Sequence, residues 1–216
     1  MTHPSAHRHA RLAALRAARL IPVLRYDNAA TAAYAAEVAV GAGCATLELT
    51  WTIPGVADLV RALRDKHGPA LLLGVGTVLD ADQARQALEA GADFLVSPGF
   101  VPGLADMAHA VDALCLLGAF TPSEVIAARR EGADVVKIFP ADTGGPRHLA
   151  ALASVFPDVV FCPTGGVSAG NMGEYFRAGA AMVGMGGNLF ERTAFAARDT
   201  GVLTRQVAGT LEQARG

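Results

Sequence analysis

One pattern limits the possible folds of this chain more than any other. Four times an alanine-rich stretch with helical character ends in a glycine, passes a small residue and runs directly into an apolar segment: GAGCATLELT, EAGADFLVSP, REGADVVKIFP and RAGAAMVGMG. Glycine just past a helix readily takes the left-handed conformation that closes the last turn, so each junction reads as a helix C-cap feeding a strand. The glycines, Gly43, Gly91, Gly132 and Gly179, stand 48, 41 and 47 positions apart, room for two strand-helix units each time. The apolar runs ALLLGV, ALCLLG and VVFCPT lie between them, and LIPVLR near the start completes eight strands. Helical stretches over 28–42, 55–67, 80–90 and 121–131 keep the same rhythm. Strands that are apolar on both faces and alternate strictly with helices form a parallel sheet covered on both sides.

Eight such units in 216 residues predict an α/β fold of the closed (β/α)8, or TIM-barrel, kind, a little shorter than the ~250 residues usual for that architecture. The expected layout is a single domain over 1–216, with an N-terminal tail and extra helix over 1–19, the barrel over 20–190 and C-terminal helices over 191–216. A doubly wound open sheet is the second possibility, but its dinucleotide fingerprint is missing: GVGTVL offers Gly74 and Gly76, then Leu79 at the third glycine position. With 52% hydrophobic and 18% charged residues the chain can bury a large core. A formal charge of -2 and no long basic run leave no electrostatic footprint for nucleic acid. Glycine interrupts the longest apolar stretches far short of the ~20 residues of a membrane helix, so no membrane partner is expected. The opening MTHPSAHRHARLAALRAARL lacks the apolar core of a signal peptide and reads as a tail running into a helix. Cys44, Cys115 and Cys162 are odd in number, far apart and set in apolar segments, which suits buried thiols in a reducing compartment and makes the cytoplasm the expected location.

In a barrel, the side-chain period of two decides which residues see the interior. In DVVKIF, Val136 and Ile138 would face the helices, leaving Val135, Lys137 and Phe139 inward near the strand's C-terminal end, the catalytic face of such barrels. In TLELTWT, Leu47 and Leu49 face the helices while Thr46, Glu48, Thr50 and Thr52 fall on the inner side. Arg25 ends the first strand, Thr77 the third and Thr164 the seventh, so Arg25, Glu48, Thr77, Lys137 and Thr164 converge on one mouth.

Each of these residues has a plain structural reading. A lone strand-end lysine usually snorkels to the surface, but Lys137 does not stand alone. A strand glutamate is commonly solvated, yet an all-parallel barrel has no solvated strand face except at its ends, which favours function for Glu48. Thr77 and Thr164 divide evenly between strand or capping roles and substrate contact. The turns PTGGVS and GMGGN follow the last two strands, where barrels often hold phosphate on backbone N–H groups; alone, either would be just a tight turn. TPSE at 121–124 reads as a helix start with a capping box, which assigns Glu124 to structure. PADTGGP reads as a turn into the next helix. His3, His7 and His9 lie in the tail, and His67, His109 and His148 in or beside helices, so no metal-ligand set forms at a strand end.

LELTWTIP, GVGTV, VSPG, KIFPA and PTGGV, in this order across residues 20–190, together resemble the class I 2-keto-3-deoxy-6-phosphogluconate (KDPG) and 4-hydroxy-2-oxoglutarate (KHG) aldolase family. The resemblance implies a homotrimeric (β/α)8 barrel that cleaves 2-keto acids to pyruvate and an aldehyde without metal or other cofactor. Lys137 in KIFP matches the family's Schiff-base lysine and Glu48 in LELT its general acid/base. Thr77 and Thr164 match substrate-contacting threonines, Pro98 and Phe139 pocket walls, and Gly165, Gly166, Gly187 and Asn188 the phosphate end. Many members carry an arginine four residues after the glutamate, where this chain has Thr52; others carry one ending the first strand, and Arg25 stands there. Where the family has a serine near the last glycines, this chain has Gly187 or Asn188.

The implied chemistry suits the residues. An amine attacks a keto group in its neutral form, which apolar neighbours such as Val135 and Phe139 and the nearby positive charge of Arg25 would favour. The iminium then serves as electron sink while Glu48 moves protons, through a water. Other readings are a 2-keto-3-deoxy-6-phosphogalactonate aldolase, a metal-dependent aldolase, a non-catalytic phosphosugar-binding barrel and, more distantly, a phosphate-handling isomerase.

Overall fold

The computed structural model describes residues 5–216. Its strands are β1 (Leu20–Leu24), β2 (Thr46–Thr50), β3 (Leu72–Gly76), β4 (Phe94–Val96), β5 (Leu114–Ala119), β6 (Val135–Ile138), β7 (Phe161–Pro163) and β8 (Val183–Met185). Helix α1 (Ala6–Ala18) precedes them. Between and after them come α2 (Ala29–Gly41), α3 (Val56–His67), α4 (Ala81–Glu89), α5 (Leu104–His109), α6 (Pro122–Glu131), α7 (Ala141–Val155), α8 (Met172–Arg177), α9 (Arg192–Ala196) and α10 (Thr200–Arg215). All pairings are parallel and run in the order β7-β6-β5-β4-β3-β2-β1-β8. The ring closes between β7 and β8 through two isolated bridges, Phe161 with Ala180 and Thr164 with Gly184, so the expected barrel is present with a thin seam.

The four junction glycines have φ values of 94°, 96°, 99° and 106°. At each, the next N–H reaches back five residues: Cys44 to the Ala39 carbonyl, Ala92 to Ala87, Ala133 to Ala128 and Ala180 to Tyr175. This is the Schellman closure, and it drops the chain straight into a strand. A fifth such junction stands at Asp112 (φ 61°), where Ala113 N–H donates to the Ala108 carbonyl; its aspartate hid it from a search for glycine. The capping box of α6 is formed by Thr121 and Glu124. The N–H groups of Thr121 and Phe120 hold the Glu124 carboxyl below the usual carboxylate range. PADTGGP differs from the simple turn expected: helical geometry begins at once with Ala141, breaks at Gly145 (φ 68°, ψ -175°) and continues from Pro146.

Two apolar layers follow from the alternation. Leu47, Leu49, Leu73, Val75, Leu95, Leu117, Val136 and Ile138 pack outward against the helices. Ile21, Leu72, Phe94, Val96, Leu114, Leu116, Val135, Cys162 and Met182 fill the interior, where Leu15 of α1 joins them from below. Helix α1 is thus a plug in the N-terminal end of the barrel, and burying Leu15 alone contributes about 1.5–3 kcal/mol. Its arginines pair with the aspartates of two quasi-equivalent GAD sequences. Arg11 lies 3.0 Å from Asp93 and Arg8 3.2 Å from Asp134. Asp93 also pairs with Arg64 and accepts from Leu73 N–H at 2.9 Å; Asp134 accepts from Cys115 N–H at 2.9 Å and meets His109 at 2.9 Å. No helix among the described residues is long and apolar enough to cross a membrane.

Candidate active site

At the opposite, C-terminal end the same alternation exposes polar groups to the interior. Lys137 from β6 and Glu48 from β2 are 5% and 2% exposed, and Nζ stands 3.6 Å from Oε1. That distance is an ion pair but longer than a hydrogen bond. Oε1 of Glu48 has no hydrogen-bond partner among the described residues. The ring of Phe139 faces the mouth with its centroid 5.4 Å from Nζ. Cys162, opposite Lys137 in the β6–β7 register, is buried; burial pushes its thiol up to about 12 against the opposing influence of Lys137.

A cavity of about 210 Å³ opens above this pair, lined by Val23, Arg25, Lys137, Phe139, Thr164, Gly165, Gly166, Val167, Gly186, Gly187 and Asn188. Eight of the eleven expected site residues therefore share one wall. Glu48 reaches it through Lys137. Thr77 stands beside it, its hydroxyl accepting from Arg25 Nη2 at 3.0 Å and its backbone held at φ 59°. A left-handed threonine is an uncommon, costly conformation of the kind found at ligand sites. Pro98 does not line the cavity; its backbone packs against Gly118, the register partner of Lys137. A larger hollow of about 410 Å³ near Trp51 and Arg61 takes in Thr52, which was expected to face inward, but neither Lys137 nor Glu48.

The two glycine turns close the far side. Ala141 N–H donates to the Thr164 carbonyl at 2.8 Å and Asp142 N–H to the Gly165 carbonyl at 3.2 Å, which fixes the turn after β7. Among the described residues no acceptor takes the N–H of Gly165 or Gly166. Gly187 and Asn188 begin a short 3-10 turn, and Asn188 Nδ2 bridges to the Val167 carbonyl at 3.2 Å, tying the two turns together. Free N–H groups, a helical-turn start and Arg25 make this end fit for an anion. Thr52 lies away from it, bonded to Thr50 at 2.8 Å.

The histidines have other partners. His67 meets Glu37 at 3.1 Å, His109 meets Asp134, and His148 bonds the Phe120 carbonyl at 2.7 Å, while His7 and His9 ride on α1 and His3 falls outside the described residues. No group of three or more His, Cys, Asp or Glu among the described residues is disposed to hold a metal ion. Sequence reasoning passed over Val23, Gly184 and the spatial role of Gly76. A Cβ on Gly184 would collide with the Thr164 hydroxyl, so the bare backbone there makes room for a cavity residue.

Fold and site define a class: a (β/α)8-barrel carbon-carbon lyase, an aldolase of the lysine-dependent kind. The model of the KDPG and KHG aldolase family matches residues 12–205. The chain is 38% identical over 161 residues to the 2-dehydro-3-deoxy-phosphogluconate aldolase of Pseudomonas aeruginosa, covering 74% of this chain and 73% of that one. It is 32% identical over 197 residues to the KHG/KDPG aldolase of Escherichia coli, covering 91% and 92%. The structure of the Legionella pneumophila KDPG aldolase, with pyruvate captured as a covalent carbinolamine, superposes with a TM-score of 0.82 at 29% identity over 97% of this chain and 98% of that one. This chain belongs to the KDPG and KHG aldolase family.

Proposed function

We propose that this protein cleaves 2-keto-3-deoxy-6-phosphogluconate to pyruvate and glyceraldehyde 3-phosphate, and 4-hydroxy-2-oxoglutarate to pyruvate and glyoxylate, through a Schiff base on Lys137. The observation that carries the reading is the buried Lys137–Glu48 pair at 3.6 Å beneath a cavity with an anion-suited end. The neutral amine adds to the C2 carbonyl, and loss of water from the carbinolamine leaves an iminium. Glu48, relayed by a water, removes the C4 hydroxyl proton; the C3–C4 bond breaks and its electron pair flows to the iminium nitrogen, leaving an enamine of pyruvate and a free aldehyde. Reprotonation at C3 and hydrolysis release pyruvate.

Arg25, steadied by Thr77, binds the substrate carboxylate. Thr164 hydrogen-bonds the substrate near the lysine, and Phe139 walls the reacting carbons, while Pro98 supports the wall from behind Gly118. Gly165, Gly166, Gly187 and Asn188 take the terminal phosphate or second carboxylate on backbone N–H groups. Residues 1–216 act as one domain, as a homotrimer in the cytoplasm; three free buried thiols suit that compartment. Incubation with pyruvate followed by borohydride reduction tests the reading: one adduct, mapped to Lys137 by mass spectrometry, is expected, and absence of any adduct would overturn it.

A further inference from the structure

The inner face of β3 reads Leu72, Gly74, Gly76, so the upper half of this strand presents bare backbone to the interior. The two glycines make room for different neighbours. A Cβ on Gly74 would run into the Phe94 ring, which fills the barrel floor. A Cβ on Gly76 would stand 2.6 Å from Cδ and 2.8 Å from Cγ of Glu48, and closer still to Oε1. In register, Glu48 lies opposite Gly74 and Thr50 opposite Gly76, so the glutamate side chain rises along β3 and rests its carboxylate over Gly76. No other reason for glycine is present there. Gly76 is not among the residues of positive φ, and its carbonyl accepts an ordinary ladder bond from Trp51 N–H at 2.7 Å. Any L-residue could adopt that backbone, and interior glycine in a strand marks a close approach.

The ion pair with Lys137 is the carboxylate's one polar contact among the described residues, and it is too long to fix an orientation. Oε1 lacks a hydrogen-bond partner among the described residues, and Lys137 is 3.6 Å away. The position of the acid/base is set by the shape of the wall. We propose that Gly76 is a positioning residue for the aldol reaction: its missing side chain is the slot that aims the Glu48 carboxylate at Lys137 and the mouth. The proposal rests on the reading of Glu48 as the acid/base.

Gly76→Ala, Glu48→Ala and the double variant test it by turnover, by the rate of borohydride-trapped pyruvate adduct on Lys137, and by Tm. Gly76→Ala alone is expected to lower kcat about tenfold or more while KM stays within about threefold, since the carboxylate is displaced and the binding end is untouched. In the Glu48→Ala background the same change is expected to alter adduct formation less than about twofold and to leave Tm at the value of Glu48→Ala, because the colliding atoms are gone. If Gly76→Ala fails to fold, recovery of the fold in the double variant supports the slot equally. Equal losses from Gly76→Ala in both backgrounds, or a double variant that also fails to fold when Glu48→Ala folds, would overturn the proposal in favour of a purely structural glycine. So would a fully active Gly76→Ala beside an inactive Glu48→Ala, which would leave the acid/base reading standing. Full turnover by Glu48→Ala would instead remove that reading and the slot with it.

Discussion

The two ends of the barrel hold their buried charges on opposite terms. At the N-terminal end Asp93 meets two guanidiniums and a backbone N–H, and Asp134 meets Arg8, His109 and a backbone N–H. At the C-terminal end Glu48 and Lys137 are at least as deeply buried, yet they stand 3.6 Å apart and one carboxylate oxygen has no hydrogen bond. Desolvating a charge is expensive, and hydrogen bonds around the charge offset the cost. The lower end meets most of that requirement within the chain, with Arg8 Nε ion-paired but not hydrogen-bonded, and gains a fixed plug, α1. The upper end leaves it partly unmet, and glycines hold the space open. A stability device and a reactive pair are both built from buried acids and bases, distinguished by how completely the protein satisfies them.

Four substitutions and one reagent put that contrast to the test. Lys137→Ala should abolish turnover, read by pyruvate release, because no other amine lines the cavity. Asp93→Ala should lower stability by about 3 kcal/mol, since it removes the carboxylate shared by two arginines, which keep only carbonyl acceptors, and leaves the Leu73 N–H without its acceptor, while kcat of the folded fraction stays unchanged; chemical denaturation and active-site titration measure the two separately. Glu48→Gln should slow turnover by about 10²-fold, roughly 2.7 kcal/mol in the barrier, with the Lys137 adduct still trappable. Arg25→Leu should raise KM for the keto acid about tenfold with a smaller effect on kcat, as expected for one lost charge-assisted contact. The least perturbing test uses alkylation of Cys162. A thiol held near 12 stays neutral below that value, so at pH 8 it should remain unmodified in the native protein and react only on unfolding.

Much of this molecule was legible before any coordinate. The glycine junctions marked the strand starts, and the period of two sent Lys137 and Glu48 inward and their neighbours to the helix layer. What escaped has identifiable causes. Asp112 takes the left-handed cap position that glycine takes elsewhere, so composition gave no flag. The GAD aspartates were visible as a repeat, but their role needed α1 to arrive from far away in the chain with Arg8 and Arg11. Gly76 was weighed as part of a nucleotide fingerprint, although the same alternation that turned Lys137 inward also turned Gly76 toward Glu48. The break at Gly145 was hidden because PADTG can begin a helix as readily as a loop.

Sequence alone determined the alternation of strands and helices, the hand each side chain shows to the interior, and the family to which the chain belongs, because these depend on local periodicity and ordered motifs. Tertiary structure decided the 3.6 Å spacing of the reactive pair, the union of Arg25 with the turns after β7 and β8 around one cavity, and the sealing of the far end by α1. Those are distances between groups dozens of residues apart. Ring closure and register set such distances, and no local signal in a chain carries them.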